Sequence, residues 1–237
     1  DKSIYSYLPN YPKKQFDFSV RELSGHLAGI RSYKGNEYVL NKKMSITEGL
    51  ELFKNDSLLF EPSTQFLYNS FGYVLLSEFS MVNDSLFKPL KMNQTLLDSL
   101  DSDVPNKTNF YRKKRILSTP VANEYKVAGG GFLSTSEDLV KLGNEVITPQ
   151  IISEKSLAEI TTSQRFKTGN STGYGIGFSI DETKNKTPKY YHTGGGVGAS
   201  SILLIYPDEA ITICILTNVS GVDTKVLGDQ LENVFID

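Results

Sequence analysis

Hydrophobic residues change their spacing along the chain, and the change divides it into two regions. Between residues 17 and 163 they recur at the three- and four-residue intervals of amphipathic helices, as Ile46, Leu50 and Phe53 do. Between residues 174 and 237 they form short runs bounded by glycine, proline and polar residues, which is typical of strands. We therefore expect one domain of the α/β (α+β) class, with a mostly helical region (17–163) followed by a sheet and a closing helix (174–237).

Capping residues mark the expected starts of helices. The S-x-x-E pattern at Ser19–Glu22 and at Ser45–Glu48 is a capping box, in which each side chain satisfies a backbone N–H group near the other. Helices are expected after these two caps, over Phe66–Val82, after a cap within Ser134–Asp138, from Ser153 and over Thr224–Phe235. Tyr5–Pro12 is expected to be an extended surface segment, and Gln94–Arg115 an irregular one.

Four apolar runs in the second region predict strands. They are Tyr174–Ile180, Lys189–Thr193, Ser200–Tyr206 and Ile211–Thr217. The last two are joined by Pro207–Ala210, which predicts a hairpin.

The stretch Tyr190–Ser200 connects two of these runs through glycine and small residues, which contribute little to packing. A strand that ends in His-Thr-Gly-Gly leaves its backbone unobstructed beside two hydrogen-bonding side chains. A ligand could therefore lie along it as an additional β-partner. Taken alone, the stretch is more typical of a glycine-rich hairpin turn.

Composition and charge argue against several classes of protein. The net charge of −2 comes from 25 basic and 27 acidic residues that are well mixed, so neither nucleic acid nor an anionic membrane surface is an expected partner. The longest apolar runs are too short to span a bilayer. Two histidines, His26 and His192, and one cysteine, Cys214, argue against a zinc site, and no cofactor is implied. We expect Cys214 to be a buried, unreactive thiol.

Four segments carry motifs in a fixed order: GHLAGIRSY, FLYNSFGYVLLS, GGGFLSTSEDLVKLGN and HTGGGVGASSILLIYPDE. The second contains Tyr68-Asn69-Ser70 as a Y-x-N-like motif, and the fourth contains His192-Thr193-Gly194 where K-T-G is usual. Together they resemble the serine β-lactamase and penicillin-binding protein superfamily, and within it the serine β-lactamase-like group that includes a mitochondrial member. The resemblance runs from Ile4 to Asn218. It implies the β-lactamase/D,D-peptidase fold, in which an antiparallel sheet flanked by helices packs against a mostly helical region. It also implies that His26 is a hydrogen-bonded structural residue rather than a catalyst.

The resemblance also implies an activity, which is serine hydrolysis of an amide or ester bond in a small molecule or peptide through an acyl-enzyme. Tyr68 would be the catalytic base, a role in which a phenol needs a neighbouring cation to lower its pKa from about 10. Gly195 would donate its backbone N–H to the oxyanion.

Four further residues would bind the substrate by the same resemblance. Thr193 would hold a substrate carboxylate through its hydroxyl, and Gly194 would keep the strand flat. His192, in place of lysine, could accept a hydrogen bond when neutral or attract a carboxylate when protonated. Ser70 stands where many relatives carry asparagine, and its hydroxyl has one donor where an amide has two.

The S-x-x-K motif that supplies the nucleophile in this superfamily would lie before Ile4. Ser85-Leu86-Phe87-Lys88 matches the pattern, but it follows Tyr68 and overlaps a turn, so we reject it as the nucleophile. We expect the chain to be the remainder of a longer protein, inactive and prone to aggregate by itself because a sheet edge would be bare. That protein would be periplasmic or secreted in a bacterium and mitochondrial in a eukaryote. The alternative is a binding or self-assembly module that keeps the fold without the chemistry.

Overall fold

The computed structural model describes residues 1–79, 82–101 and 103–236. Within these residues the α-helices are α1 (Val20–Ser24), α2 (Ile46–Leu50), α3 (Ser70–Ser77), α4 (Ser136–Ile147), α5 (Glu154–Ile160) and α6 (Thr224–Phe235). The strands are β1 (Leu96–Leu97), β2 (Tyr111–Arg112), β3 (Ile116–Leu117), β4 (Phe132–Leu133), β5 (Ser179–Glu182), β6 (Pro188–Gly196), β7 (Ala199–Tyr206) and β8 (Ile211–Thr217). The last four strands form an antiparallel sheet in chain order, whereas β1 pairs with β4 and β2 pairs with β3. The predicted α/β class is confirmed.

The helix caps form where the sequence predicts them. Both capping boxes are complete, with Ser19 paired to Glu22 and Ser45 to Glu48. The Thr135 hydroxyl accepts a hydrogen bond from the Asp138 N–H at 3.2 Å and so begins α4. These contacts span three residues and satisfy N–H groups that a helix leaves unpaired at its start, so they need no distant partner.

The sheet is apolar on both faces because helices cover both. Leu203 and Ile205 of β7 pack with Val146 of α4, whereas Ile202 and Leu204 pack with Ile236 directly after α6. Side chains alternate along a strand, so neighbouring residues of β7 join opposite clusters. Burial of each of these aliphatic side chains contributes about 1.5–3 kcal/mol.

The helical region has its own core around α3. Phe71, Val74 and Leu75 are fully buried against α1, α2 and the preceding chain. Ile4 and Tyr11 join this core, and Ile4–Ser6 forms a helical turn. The expectation of an extended segment over Tyr5–Pro12 is therefore wrong, because the segment begins in a helical turn. Its surface position holds for Ser6, Tyr7, Pro9 and Asn10, whereas Tyr11 enters the core.

Helix α3 begins four residues later than predicted. Asn69 is its N-cap and accepts the Gly72 N–H at 2.7 Å, so Phe66–Tyr68 are extended rather than helical. His26 holds this extended segment, because its carbonyl accepts the Leu67 N–H and its Nδ1 accepts the Asn69 N–H. Part of the predicted C-terminal end, residues 80 and 81, lies outside the described residues.

Two predicted strands have different limits. Tyr174–Ile180 is mostly a turn, stabilised by a hydrogen bond from the Gly175 N–H to the Phe178 carbonyl, and the strand begins only at Ser179. Strand β6 continues past Thr193 to Gly196, so most of the glycine stretch is paired strand. The turn is confined to Val197–Gly198. Gly198 has φ +89° there, and a side chain would overlap Phe110.

Candidate active site

The second half of β6 has one open edge. Strand β5 pairs with β6 only from Pro188 to Tyr191, whereas β7 pairs with β6 as far as Gly196. Among the described residues, His192–Gly196 therefore have a strand on one side only. This backbone can take an additional partner in the way that a sheet edge does.

Gly195 presents its backbone polar groups at that open edge. Its carbonyl accepts a hydrogen bond from the Tyr38 hydroxyl at 3.1 Å, and Tyr38 belongs to the helical region rather than to the sheet. In an antiparallel pair a residue either exchanges both its N–H and its carbonyl with its partner or directs both away. Because the Gly195 carbonyl points away from β7, its N–H does so too, which is the orientation that an oxyanion donor requires.

Tyr68 and His192 meet beside this edge. The Tyr68 hydroxyl lies 3.4 Å from Nε2 of His192, and the two rings are 5.8 Å apart. Tyr68 is 48% exposed, so part of its side chain faces solvent. The two residues are 124 positions apart in sequence and are brought together by the packing of the segment before α3 against β6.

The electrostatics of this pair keep both groups neutral at pH 7. Burial raises the pKa of the Tyr68 phenol and lowers the pKa of the His192 imidazole. No cation among the described residues offsets the effect of burial on Tyr68. A base at this position would therefore need a positive charge from outside the described residues.

His26 lies under this pair and is 1% exposed. Its ring contacts Tyr68, Tyr73 and Tyr174 at centroid distances of 4.4, 5.3 and 5.0 Å. Burial, and secondarily the charge of His192, lowers its pKa to about 3. Its Nε2 has no hydrogen-bond partner among the described residues. The structural role expected for His26 is thus confirmed, through one ring nitrogen and its backbone.

Thr193 lies on a different face of the strand from His192, because successive residues of a strand alternate between its faces. Thr193 pairs with Ile202, whose side chain packs on the α6 face, whereas His192 pairs with Leu203, which packs on the α4 face. A cavity of about 1040 Å³ is lined by Thr193, Gly194 and the first residues of α6. A side chain at Gly194 would overlap the Ser201 hydroxyl unless that hydroxyl rotated away.

Ser70 belongs to a second cavity. This cavity, of about 1520 Å³, is lined by Ser70, Lys126 and Gly195 among others. Ser70 and Gly195 thus line a common cavity, while Tyr68 and His192 are not among the residues that line either cavity.

Two residues near the edge were not identified from the sequence. Tyr38 donates to Gly195, and Lys126 donates to the Tyr38 carbonyl at 3.0 Å and to Asn123 Oδ1 at 2.8 Å. Lys126 is 5% exposed, and burial lowers its pKa to about 8. A tyrosine and a lysine in a polar stretch give no sequence signal of burial, so only the fold could identify them.

The remaining candidates do not contribute to this site. Ser85 lies on an exposed π-helical turn, and Lys88 pairs with Asp84 at 2.5 Å. Neither residue lines a cavity described above. Cys214 is half-buried rather than fully buried, and burial raises the pKa of its thiol to about 11, which keeps it protonated and unreactive at pH 7.

The described residues contain neither a cluster of metal-ligating side chains nor a membrane-spanning helix. No group of three or more histidine, cysteine, aspartate or glutamate side chains in residues 1–79, 82–101 and 103–236 could hold a metal ion. No helix in the same ranges is long and apolar enough to cross a membrane.

The fold and the open β6 edge define a protein of the β-lactamase and penicillin-binding class. The chain belongs to the beta-lactamase family, whose model matches residues 1–233.

Curated relatives lie in the same superfamily. The mitochondrial serine beta-lactamase-like protein LACTB of Bos taurus is 34% identical over 214 residues, which are 74% of this chain and 38% of that protein. Penicillin-binding protein 4* of Bacillus subtilis (strain 168) is 24% identical over 92% of this chain and 54% of its own length. The chain thus spans roughly two fifths to half of the length of these relatives.

Solved structures share the architecture. D-amino acid amidase from Ochrobactrum anthropi SV3, complexed with D-phenylalanine, matches with a TM-score of 0.77 at 21% identity, over 99% of this chain and 82% of that chain. At this level of identity the likeness shows the fold. The predicted resemblance to the superfamily and its fold is confirmed.

Proposed function

We propose that the protein to which this chain belongs is a serine hydrolase that cleaves an amide or ester bond through an acyl-enzyme. The observation that carries the proposal is the outward-facing N–H of Gly195 on an open strand edge, with Tyr68 and His192 beside it. The names of the relatives, which include an amidase and a penicillin-binding protein, support hydrolysis of this kind. The serine and lysine of the S-x-x-K motif would come from a segment outside this chain.

Each residue would have a distinct role in acyl transfer. The serine would attack the substrate carbonyl, and Tyr68 would accept the proton of the serine hydroxyl. Burial alone raises the pKa of Tyr68, so the lysine ammonium of the motif would have to lower it for the phenol to act as a base. The Gly195 N–H would stabilise the oxyanion that forms as the carbon becomes tetrahedral.

The remaining candidates would orient the substrate. His192 is neutral at pH 7, so it would hydrogen-bond Tyr68 or the substrate rather than attract a carboxylate electrostatically. The exposed Thr193 hydroxyl would bind a substrate carboxylate, and Gly194 would let the substrate approach the strand. Ser70, at the first position of α3, would contact the substrate from the second cavity.

The test uses the full-length protein and separates chemistry from binding. Tyr68→Phe should slow acylation by about 10²–10⁴-fold, the usual contribution of a positioned general base, while the fold is retained because the ring remains. Thr193→Val should weaken the binding of carboxylate-bearing substrates more than the binding of neutral esters, because only the former use the hydroxyl. Acylation is measured as a mass increase after treatment with a serine-directed reagent, together with hydrolysis of a D-alanyl peptide, a β-lactam and a simple ester.

The wild-type protein provides the decisive control. Without a covalent adduct or turnover of any of the three substrates, the enzyme proposal fails, and a binding or self-assembly module becomes the better account.

A further inference from the structure

The open edge of β6 is not entirely free, because the carbonyl of Gly195 already accepts a hydrogen bond. At Gly195 the N–H and the carbonyl face the same side, and the carbonyl accepts the Tyr38 hydroxyl at 3.1 Å. A peptide that docked along β6 as an additional strand would use both groups, accepting from the N–H and donating its own amide N–H to the carbonyl. The Tyr38 hydroxyl already uses this acceptor, so the substrate N–H would have to share the carbonyl oxygen with it or displace it.

Buried side chains from other parts of the chain hold the segment that carries Tyr38. Lys126 binds the Tyr38 carbonyl, and the Tyr125 hydroxyl donates to the preceding carbonyl, that of Glu37, at 3.3 Å. The Glu37 carboxylate is held by two hydrogen bonds from the buried Arg31 guanidinium, at 2.7 and 2.9 Å. The Glu37 side chain and the carbonyls of Glu37 and Tyr38 are therefore held, which fixes the backbone from which the Tyr38 side chain reaches Gly195.

The contact also lies where the two cavities meet. Tyr38 and Gly195–Val197 line both the cavity of about 1040 Å³ and the one of about 1520 Å³. A ligand that extends along β6 from one cavity to the other must pass the Tyr38–Gly195 hydrogen bond. A ligand without an amide donor at this point can use the Gly195 N–H and leave the bond intact.

We propose that Tyr38 is a specificity-determining residue that occupies the Gly195 acceptor and thereby disfavours substrates with an amide N–H on the acyl side of the scissile bond. Acyl groups that lack this donor are disfavoured less. The inference rests on the proposed function, because it concerns the substrate of that reaction. The preference itself is a property of binding and can be measured without turnover.

The test compares two ligands that differ at one position, which is an N–H group in the first and an oxygen atom in the second. N-acetyl-phenylalaninamide carries the N–H, and 2-acetoxy-3-phenylpropanamide has an ester oxygen in its place. Equilibrium binding of each to the full-length protein is measured by NMR titration. In Tyr38→Phe the amide ligand should bind about 3- to 10-fold more tightly than in wild type, which is the range one net hydrogen bond supplies, and the ester ligand should be unchanged.

Tyr33→Phe is the matched control. The Tyr33 ring lies 5.7 Å from the Tyr38 ring, and its buried hydroxyl forms no hydrogen bond of ordinary geometry among the described residues. It should leave the ratio of the two affinities as in wild type.

Three results would overturn the inference. They are an unchanged ratio in Tyr38→Phe, an equal weakening of both ligands, which would make Tyr38 only a support for the strand, and no measurable binding of either ligand to either protein. Failure of the proposed function shows instead as the absence of a serine adduct and of turnover, so the two failures are distinguishable.

Discussion

Lys126 offers a stability measurement that reports directly on the interior beside the open edge. Lys126→Met keeps the length of the side chain but removes the ammonium group and its bonds to the Tyr38 carbonyl and to Asn123. The charged group is 5% exposed, and it lies over the rings of Tyr38 and Tyr125 at 5.2 and 5.8 Å. The substitution therefore removes an ionisable group from a site where its charged form is poorly solvated.

The magnitude follows from the pKa of Lys126. Burial lowers this pKa from 10.5 to about 8 in the folded protein. Between these pH values the unfolded chain binds more protons than the folded one, so the free energy of unfolding rises with pH. At about 1.4 kcal/mol for each pH unit, the gain for the wild type is about 1.4 kcal/mol by pH 9 and about 2.5 kcal/mol by pH 10. The Met variant has no group to titrate at this position, so it lacks this rise.

Urea denaturation of both proteins at pH 7, 8, 9 and 10 measures the effect. At pH 7 the two proteins should have similar stability, because relief of the buried charge offsets the two lost hydrogen bonds, each a net contribution of about 1 kcal/mol or more. As pH rises, the free energy of unfolding of the wild type should increase relative to that of the Met variant. The contributions of all other titrating groups cancel in this difference, because both proteins carry them. A difference that stays flat from pH 7 to 10 would refute the assignment of Lys126 as a buried group with a lowered pKa.

Three further predictions concern other parts of the fold. Burial alone would raise the pKa of Glu145, but three backbone N–H donors lower it. Glu145→Gln should therefore cost about 2 kcal/mol at pH 7 in urea denaturation, a difference that disappears as pH falls below its ordinary value of 4.5. Gly143→Ala should lower stability by about 1–2 kcal/mol despite a better helix propensity, because the new Cβ would lie 2.7 Å from Thr212 Oγ1; a thermal melt no lower than wild type would contradict this. With only two histidines in the chain, an NMR titration should show one imidazole, His192, protonating below pH 6.5 and the other, His26, staying neutral to about pH 3.

Local interactions explain which features could be predicted from the sequence. The capping boxes at Ser19 and Ser45 close within three residues. The side chains of β7 alternate between two apolar faces, and this alternation is a property of the strand itself. Both features therefore follow from short stretches of chain. The motifs around Tyr68 and His192 identified the superfamily, although the predicted strand ended at Thr193 and the structure extends it to Gly196. These features depend on residues that are close in sequence or on a pattern repeated along one element.

Long-range packing decided the rest. The apolar residues before Ser70 fit a helix by their spacing, but hydrogen bonds to His26 hold Leu67 and Asn69 extended, and that partner lies some forty residues earlier in the chain. The contact of Tyr38 with Gly195 joins residues 157 positions apart, and the burial of Lys126 depends on the ring of Tyr38 above it. Sequence spacing determines which face of a helix or strand is apolar, but it does not determine which distant element covers that face. Tyr38 and Lys126, which lie beside the open edge of β6, could therefore be identified only from the tertiary structure.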